Sequence, residues 1–132
     1  MSYRTSLRYM LAIAAAASPL ACQAADALDA SQLKSLYSGK TFEATNVVTG
    51  ASFTNYFSPD GRVAQVTKTG EKKKGISRVD PSGTHCITWE GGKEFCHKVV
   101  PQGDGTYKRY DGDKHVVTVN KVVDGNPLNL EP

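Results

Sequence analysis

Beyond Gly39 the chain reads as short runs rich in β-branched and aromatic residues, each closed by turn-forming residues. The runs are Lys40–Val48, Ser52–Phe57, Arg62–Lys68, Gly75–Val79, Thr84–Trp89, Lys93–Val100, Thr106–Tyr110 and His115–Val123. Between them stand Thr49-Gly50, Ser58-Pro59-Asp60-Gly61, Thr69-Gly70-Glu71, Asp80-Pro81-Ser82-Gly83, Glu90-Gly91-Gly92, the stretch from Pro101 to Gly105, and Asp111-Gly112-Asp113. None of these connections is long enough for the crossover that parallel strands need, so the spacing predicts an antiparallel meander of about eight strands. A meander of that length buries its edges by closing, which predicts a small barrel or a strongly bent sheet.

A different period precedes the strands. Asp29-Ala30-Ser31-Gln32 fits a capping box, Leu33, Leu36 and Tyr37 form a stripe at i, i+3, i+4, and Gly39 suits the position after the C-cap. This predicts one short helix over about 30–38, covering an end or edge of the sheet. Strands are expected over about 40–123. Residues 124–132 read as a non-strand tail whose Leu128 and Leu130 cover an open end of the core.

The first 24 residues have another texture. Arg4 and Arg8 precede an uncharged apolar run from Met10 to Ala17, followed by Pro19 and the small residues Ala21, Cys22 and Ala24. That run is too short to span a bilayer and matches the hydrophobic part of a signal peptide, with cleavage after Ala24. A buried N-terminal helix fits less well, because no polar face interrupts the run. Leu20-Ala21-Cys22 also resembles the end of a lipobox, which would anchor the protein to a membrane through Cys22. Cleavage at Ala24 leaves residues 25–132 as a single β domain, periplasmic or secreted. Removing Arg4 and Arg8 from the 16 basic residues leaves 14 against 13 acidic ones, a net charge of +1. That balance gives no case for a nucleic-acid partner.

Two cysteines then remain, Cys86 and Cys96, and an even count in an oxidising compartment reads as a disulfide. A three-residue loop at Glu90-Gly91-Gly92, with Gly92 left-handed, sets Cys86 opposite Cys96 and Ile87 opposite Phe95 on the other face. Alternation makes the side with Ile87, Phe95 and Trp89 the core face. His85-Cys86 and Cys96-His97 also contain the residue types of a structural zinc site, but neighbours along a strand point to opposite faces and the C-x2–4-C spacing is missing. His85, His97 and His115 read as surface residues, with metal or haem binding the alternative. The other aromatics, Tyr56, Phe57, Tyr107 and Tyr110, read mostly as core.

Lys72, Lys73 and Lys74, with Lys68 and Arg78, form a candidate anion-binding patch near a hairpin tip, or a solvated loop. Asp104, Asp111 and Asp113 sit in Gly-rich turns, where turn chemistry explains them without calcium. The sequence carries no nucleophile elbow, zinc-protease helix, phosphate loop or dinucleotide fingerprint. It therefore assigns no catalytic residue, metal or cofactor.

Tyr56-Phe57-Ser58-Pro59-Asp60-Gly61, the glycine at Gly75, Cys86-x-x-Trp89, Phe95-Cys96 and Gly103-Asp104-Gly105 together resemble a group of small exported proteobacterial β domains with no assigned activity. The likeness covers about Leu36 to Val119 and departs at Ser77, where the group has Trp. It implies export, the meander and the disulfide. The resulting expectation is an exported binding module for a small apolar or anionic molecule or an envelope-protein partner. The rivals are an enzyme using His85, His97 or His115, and a purely structural envelope protein.

Overall fold

The computed structural model describes residues 26–132, so the signal-peptide and lipobox readings lie outside the described residues. One helix, α1 (Ala30–Tyr37), is followed by eight strands: β1 (Lys40–Asn46), β2 (Ser52–Phe57), β3 (Arg62–Thr67), β4 (Lys72–Asp80), β5 (Thr84–Trp89), β6 (Glu94–Pro101), β7 (Tyr107–Asp111) and β8 (Lys114–Asp124). Each strand pairs antiparallel with the next, and β8 pairs with β1 to close the barrel. Closure leaves no free sheet edge.

Several boundaries moved for physical reasons. Val47 and Val48 belong to the first turn, where the Asn46 side chain accepts from the backbone N–H groups of Val48 and Thr49. β4 begins at Lys72 rather than Gly75, because Lys72, Lys73 and Lys74 pair with Val66, Gln65 and Ala64. Two register shifts bend the wall, one in the β1–β8 ladder at Glu43/Ala44 and one in the β7–β8 ladder at Arg109/Tyr110.

The helix forms by the expected capping box. The Asp29 backbone N–H donates to the Gln32 side chain at 2.9 Å, and the Gln32 N–H donates to the Asp29 carboxylate at 2.8 Å. Gly39, at φ 70°, turns the chain into β1. Leu33 and Tyr37 are buried and seal one end of the barrel. The Tyr37 ring packs at 4.5 Å from Phe42 and 4.7 Å from Phe57, centroid to centroid. With Val63 and Val99 these residues make the core of the sealed half.

Strand pairing fixes which side chains face inward. Phe42 pairs with Asn55, Asn55 with Gln65, Gln65 with Lys73, Gly75 with Trp89, Ile87 with Phe95, and Val99 with Arg109. Gly75 lies where β4 crosses close to β5: a Cβ there would sit 2.5 Å from the Thr88 carbonyl oxygen. The C-terminal tail runs along the outer wall rather than over an open end. Leu130 is buried near Ala64 and Lys74, the Arg62 guanidinium donates to the Pro132 carbonyl, and Leu128 is exposed.

Candidate functional site

The half of the barrel opposite α1 is not filled. It holds a cavity of about 530 Å3, open at the end carrying the β1–β2, β3–β4, β5–β6 and β7–β8 turns. Its wall combines apolar side chains (Phe53, Ile87, Trp89, Phe95, Val117) with polar ones (Asn55, Gln65, Lys73, His97, Arg109, Asp111). The volume lies within the usual range of small-ligand sites, about 300–1,000 Å3.

The floor of this cup is polar. Asn55 is buried, and its side-chain oxygen accepts from the Gln65 amide at 2.9 Å. Arg109 is 4% exposed. Its one side-chain hydrogen bond among the described residues is a long contact of 3.5 Å from Nη2 to Nδ1 of His85, and its Nε has no partner. Four ion pairs occur among the described residues, and none includes Arg109. A buried cation of this kind is ordinarily paired.

His85 corrects a surface expectation. It is 0% exposed, with its ring stacked 3.5 Å from that of Tyr37. The alternation that sends the cysteines outward sends His85 and His97 inward. Arg109 has no acceptor atom, so Nδ1 of His85 accepts and its Nε2–H donates to Ser77 Oγ at 2.7 Å. Burial, reinforced by Arg109 and then His97, holds the His85 pKa well below the ordinary imidazole range. His97 lines the cavity with its Nδ1 buried and unpartnered. Its pKa is lowered to about 4, chiefly by burial and then by Arg109, with Asp111 opposing. The Tyr37 hydroxyl is also buried without a partner.

His115 does not line the cup; its Nε2–H faces the Val117 carbonyl at 3.0 Å. The candidate basic patch is partly taken up by pairing. Lys73 lines the cavity, Lys72, Lys73 and Lys74 all line a groove beside the C-terminal tail, and Lys68 sits in the turn before β4. Arg78 is held bidentately by Glu94, at 2.8 and 2.6 Å, and by Asp80 at 2.9 Å. The three aspartates are separated as well, with Asp104 and Asp113 in turns at opposite ends of β7.

Cys86 and Cys96 form a disulfide directly across β5 and β6, on the outer face, with Cα atoms 4.0 Å apart. Glu94 lies beside it, and the three ligand atoms fall within 4.8 Å of one another. The two sulfurs are bonded to each other, so this is not a thiolate site. The register is the expected one, but the left-handed residue of the hairpin is Gly91, at φ 76°, because the turn closes from the Gly92 N–H to the Trp89 carbonyl. Phe95 faces the cup yet is 54% exposed, since it stands at the mouth and not in the core.

Arg109 was not among the residues picked out from sequence. Its signal lies in register: Val99 faces inward and pairs with it, so Tyr107, Arg109 and Asp111 must share that side. No family model matches the chain, and no curated protein or solved structure shows significant similarity to it.

Proposed function

We propose that this chain is an exported binding module that carries a small molecule in the open half of its barrel. The observation that supports this most is the unfilled cup itself. Protein interiors pack densely, and a barrel of eight strands can be filled by its own side chains. Here one half is filled by Leu33, Tyr37, Phe42 and Phe57, while the other keeps about 530 Å3 with both apolar and hydrogen-bonding walls. The disulfide is compatible with an oxidising compartment.

The enzyme reading would rest on His97 and Asp111, which line the same cavity. The Nδ1 of His97 has no hydrogen-bond partner among the described residues, and an imidazole with a pKa of about 4 is a weak general base near neutral pH. The binding reading is therefore preferred. Native mass spectrometry of protein released gently from the periplasm of its own host tests it. We expect a population heavier than the polypeptide by one small molecule, lost on denaturation. A mass equal to the bare disulfide-bonded chain at every desolvation energy would count against a resident ligand.

A further inference from the structure

We infer that the ligand of this cup is an amphipathic anion, with its carboxylate, sulfonate or phosphate on the Arg109 guanidinium and its apolar body against Phe53, Trp89 and Phe95 toward the mouth. The inference rests on the binding-module reading and deepens it. Arg109 is 4% exposed, its Nε is unpartnered, and no carboxylate of the described residues lies within 4.0 Å of it. A guanidinium in that state has lost water without gaining a counter-charge, and an acidic group entering the cup would supply one.

The surroundings favour an anion over other occupants. Lys73 adds a second cationic side chain to the wall, and His97 adds a buried nitrogen, Nδ1, without a partner. Asp111 is the acidic residue of the wall; it is exposed and forms no ion pair with Arg109. A cationic ligand would meet Arg109 at the floor. A wholly apolar one would leave the guanidinium buried and bare. The aromatic side chains lie between the floor and the solvent, where Phe95 is exposed, so the tail of the ligand has apolar surface to cover as far as the mouth.

Trp89 is the only tryptophan and lines the cavity, which gives the experiment its site-specific readout. Two probes share one aryl body: 1-anilinonaphthalene-8-sulfonate carries an acidic group, and N-phenyl-1-naphthylamine does not. Each is titrated into refolded, ligand-free protein, and energy transfer from Trp89 is recorded for the wild type and for Arg109→Gln. We expect the sulfonate to bind at least tenfold more tightly than the neutral probe in the wild type, and Arg109→Gln to remove that preference while retaining the neutral probe. Equal or tighter binding of the neutral probe in the wild type would overturn the anion assignment and leave the binding module standing. A sulfonate preference that survives in Arg109→Gln would overturn the role of Arg109. Failure of both probes to bind would overturn the binding module with it. The wild-type comparison decides the ligand class even if Arg109→Gln does not fold.

Discussion

Replacing Arg109 with Met in the ligand-free protein separates a binding residue from a structural strut. Met keeps an unbranched stem of similar length, so most of the packing made by the Arg methylenes survives. What disappears is a charge that is 4% exposed and has no counter-ion among the described residues. A buried ion without a partner carries a desolvation penalty, and even where a whole buried pair is replaced by apolar residues of similar volume the change is commonly neutral or stabilising, by about 0–4 kcal/mol. The opposing effect falls on His85, whose Nδ1 loses its donor. Leaving a buried acceptor bare costs about 1–3 kcal/mol. The low end applies here, because the contact is already stretched to 3.5 Å and His85 keeps its bond to Ser77. The net expectation runs from a variant about 1 kcal/mol less stable to one about 3 kcal/mol more stable than the wild type. Urea unfolding followed by Trp89 fluorescence measures this on protein refolded free of ligand. A loss of more than about 1 kcal/mol would refute the reasoning and make Arg109 part of the scaffold.

Three further outcomes follow from other parts of the molecule. Opening the Cys86–Cys96 bond frees an eleven-residue loop, worth roughly 2.5–3 kcal/mol in the chain-entropy model, so reduction should lower Tm by more than about 10 °C in a domain of this size; an unchanged Tm with both thiols alkylated would contradict this. His97 titrates near 4 in the fold against an ordinary 6.5, and His85 is shifted in the same direction. On acidification the unfolded chain takes up these protons first, so the stability they contribute is present above about pH 6.5 and lost as pH falls toward 4. Tm should decline across that window and His97→Gln should flatten the decline; a level Tm down to pH 4.5 would count against buried neutral imidazoles. Gly75→Ala places a methyl 2.5 Å from the Thr88 carbonyl and should cost about 1–3 kcal/mol in chemical denaturation, whereas an unaffected midpoint would show that β4 and β5 separate freely.

The strands, their antiparallel order and the Cys86–Cys96 register are local properties, set by turn residues and by the two-residue side-chain period, and the sequence carries them openly. The site is different because it depends on which way each strand faces. Once Cys86 and Cys96 were paired, parity put His85, Ile87, Trp89 and His97 on one face, and that face is the barrel interior. The sequence nevertheless reads His85 as a surface residue, because its burial depends on the closing of α1 and β7 around it, which no local pattern reports. Arg109 escaped notice for the same reason. In Tyr107-Lys108-Arg109-Tyr110-Asp111 it looks like one of several solvated cations, and only the pairing of Val99 with Arg109 turns it inward. Of the three consecutive lysines only Lys73 also lines the cup, a distinction that strand parity and not the run itself carries, while all three line a groove beside the C-terminal tail.

The claim that an acidic group occupies the cup against Arg109 is tested most directly by the side-chain Nε–H resonance of that residue. In a proton–nitrogen correlation spectrum of the labelled protein, addition of decanoate should move the Arg109 Nε–H signal at one-to-one stoichiometry. The backbone signals of Ile87 and the indole N–H of Trp89 should move with it, and decanol should leave the Arg109 signal in place. Shifts confined to exposed lysines, with the Arg109 signal unmoved at saturating decanoate, would contradict the account.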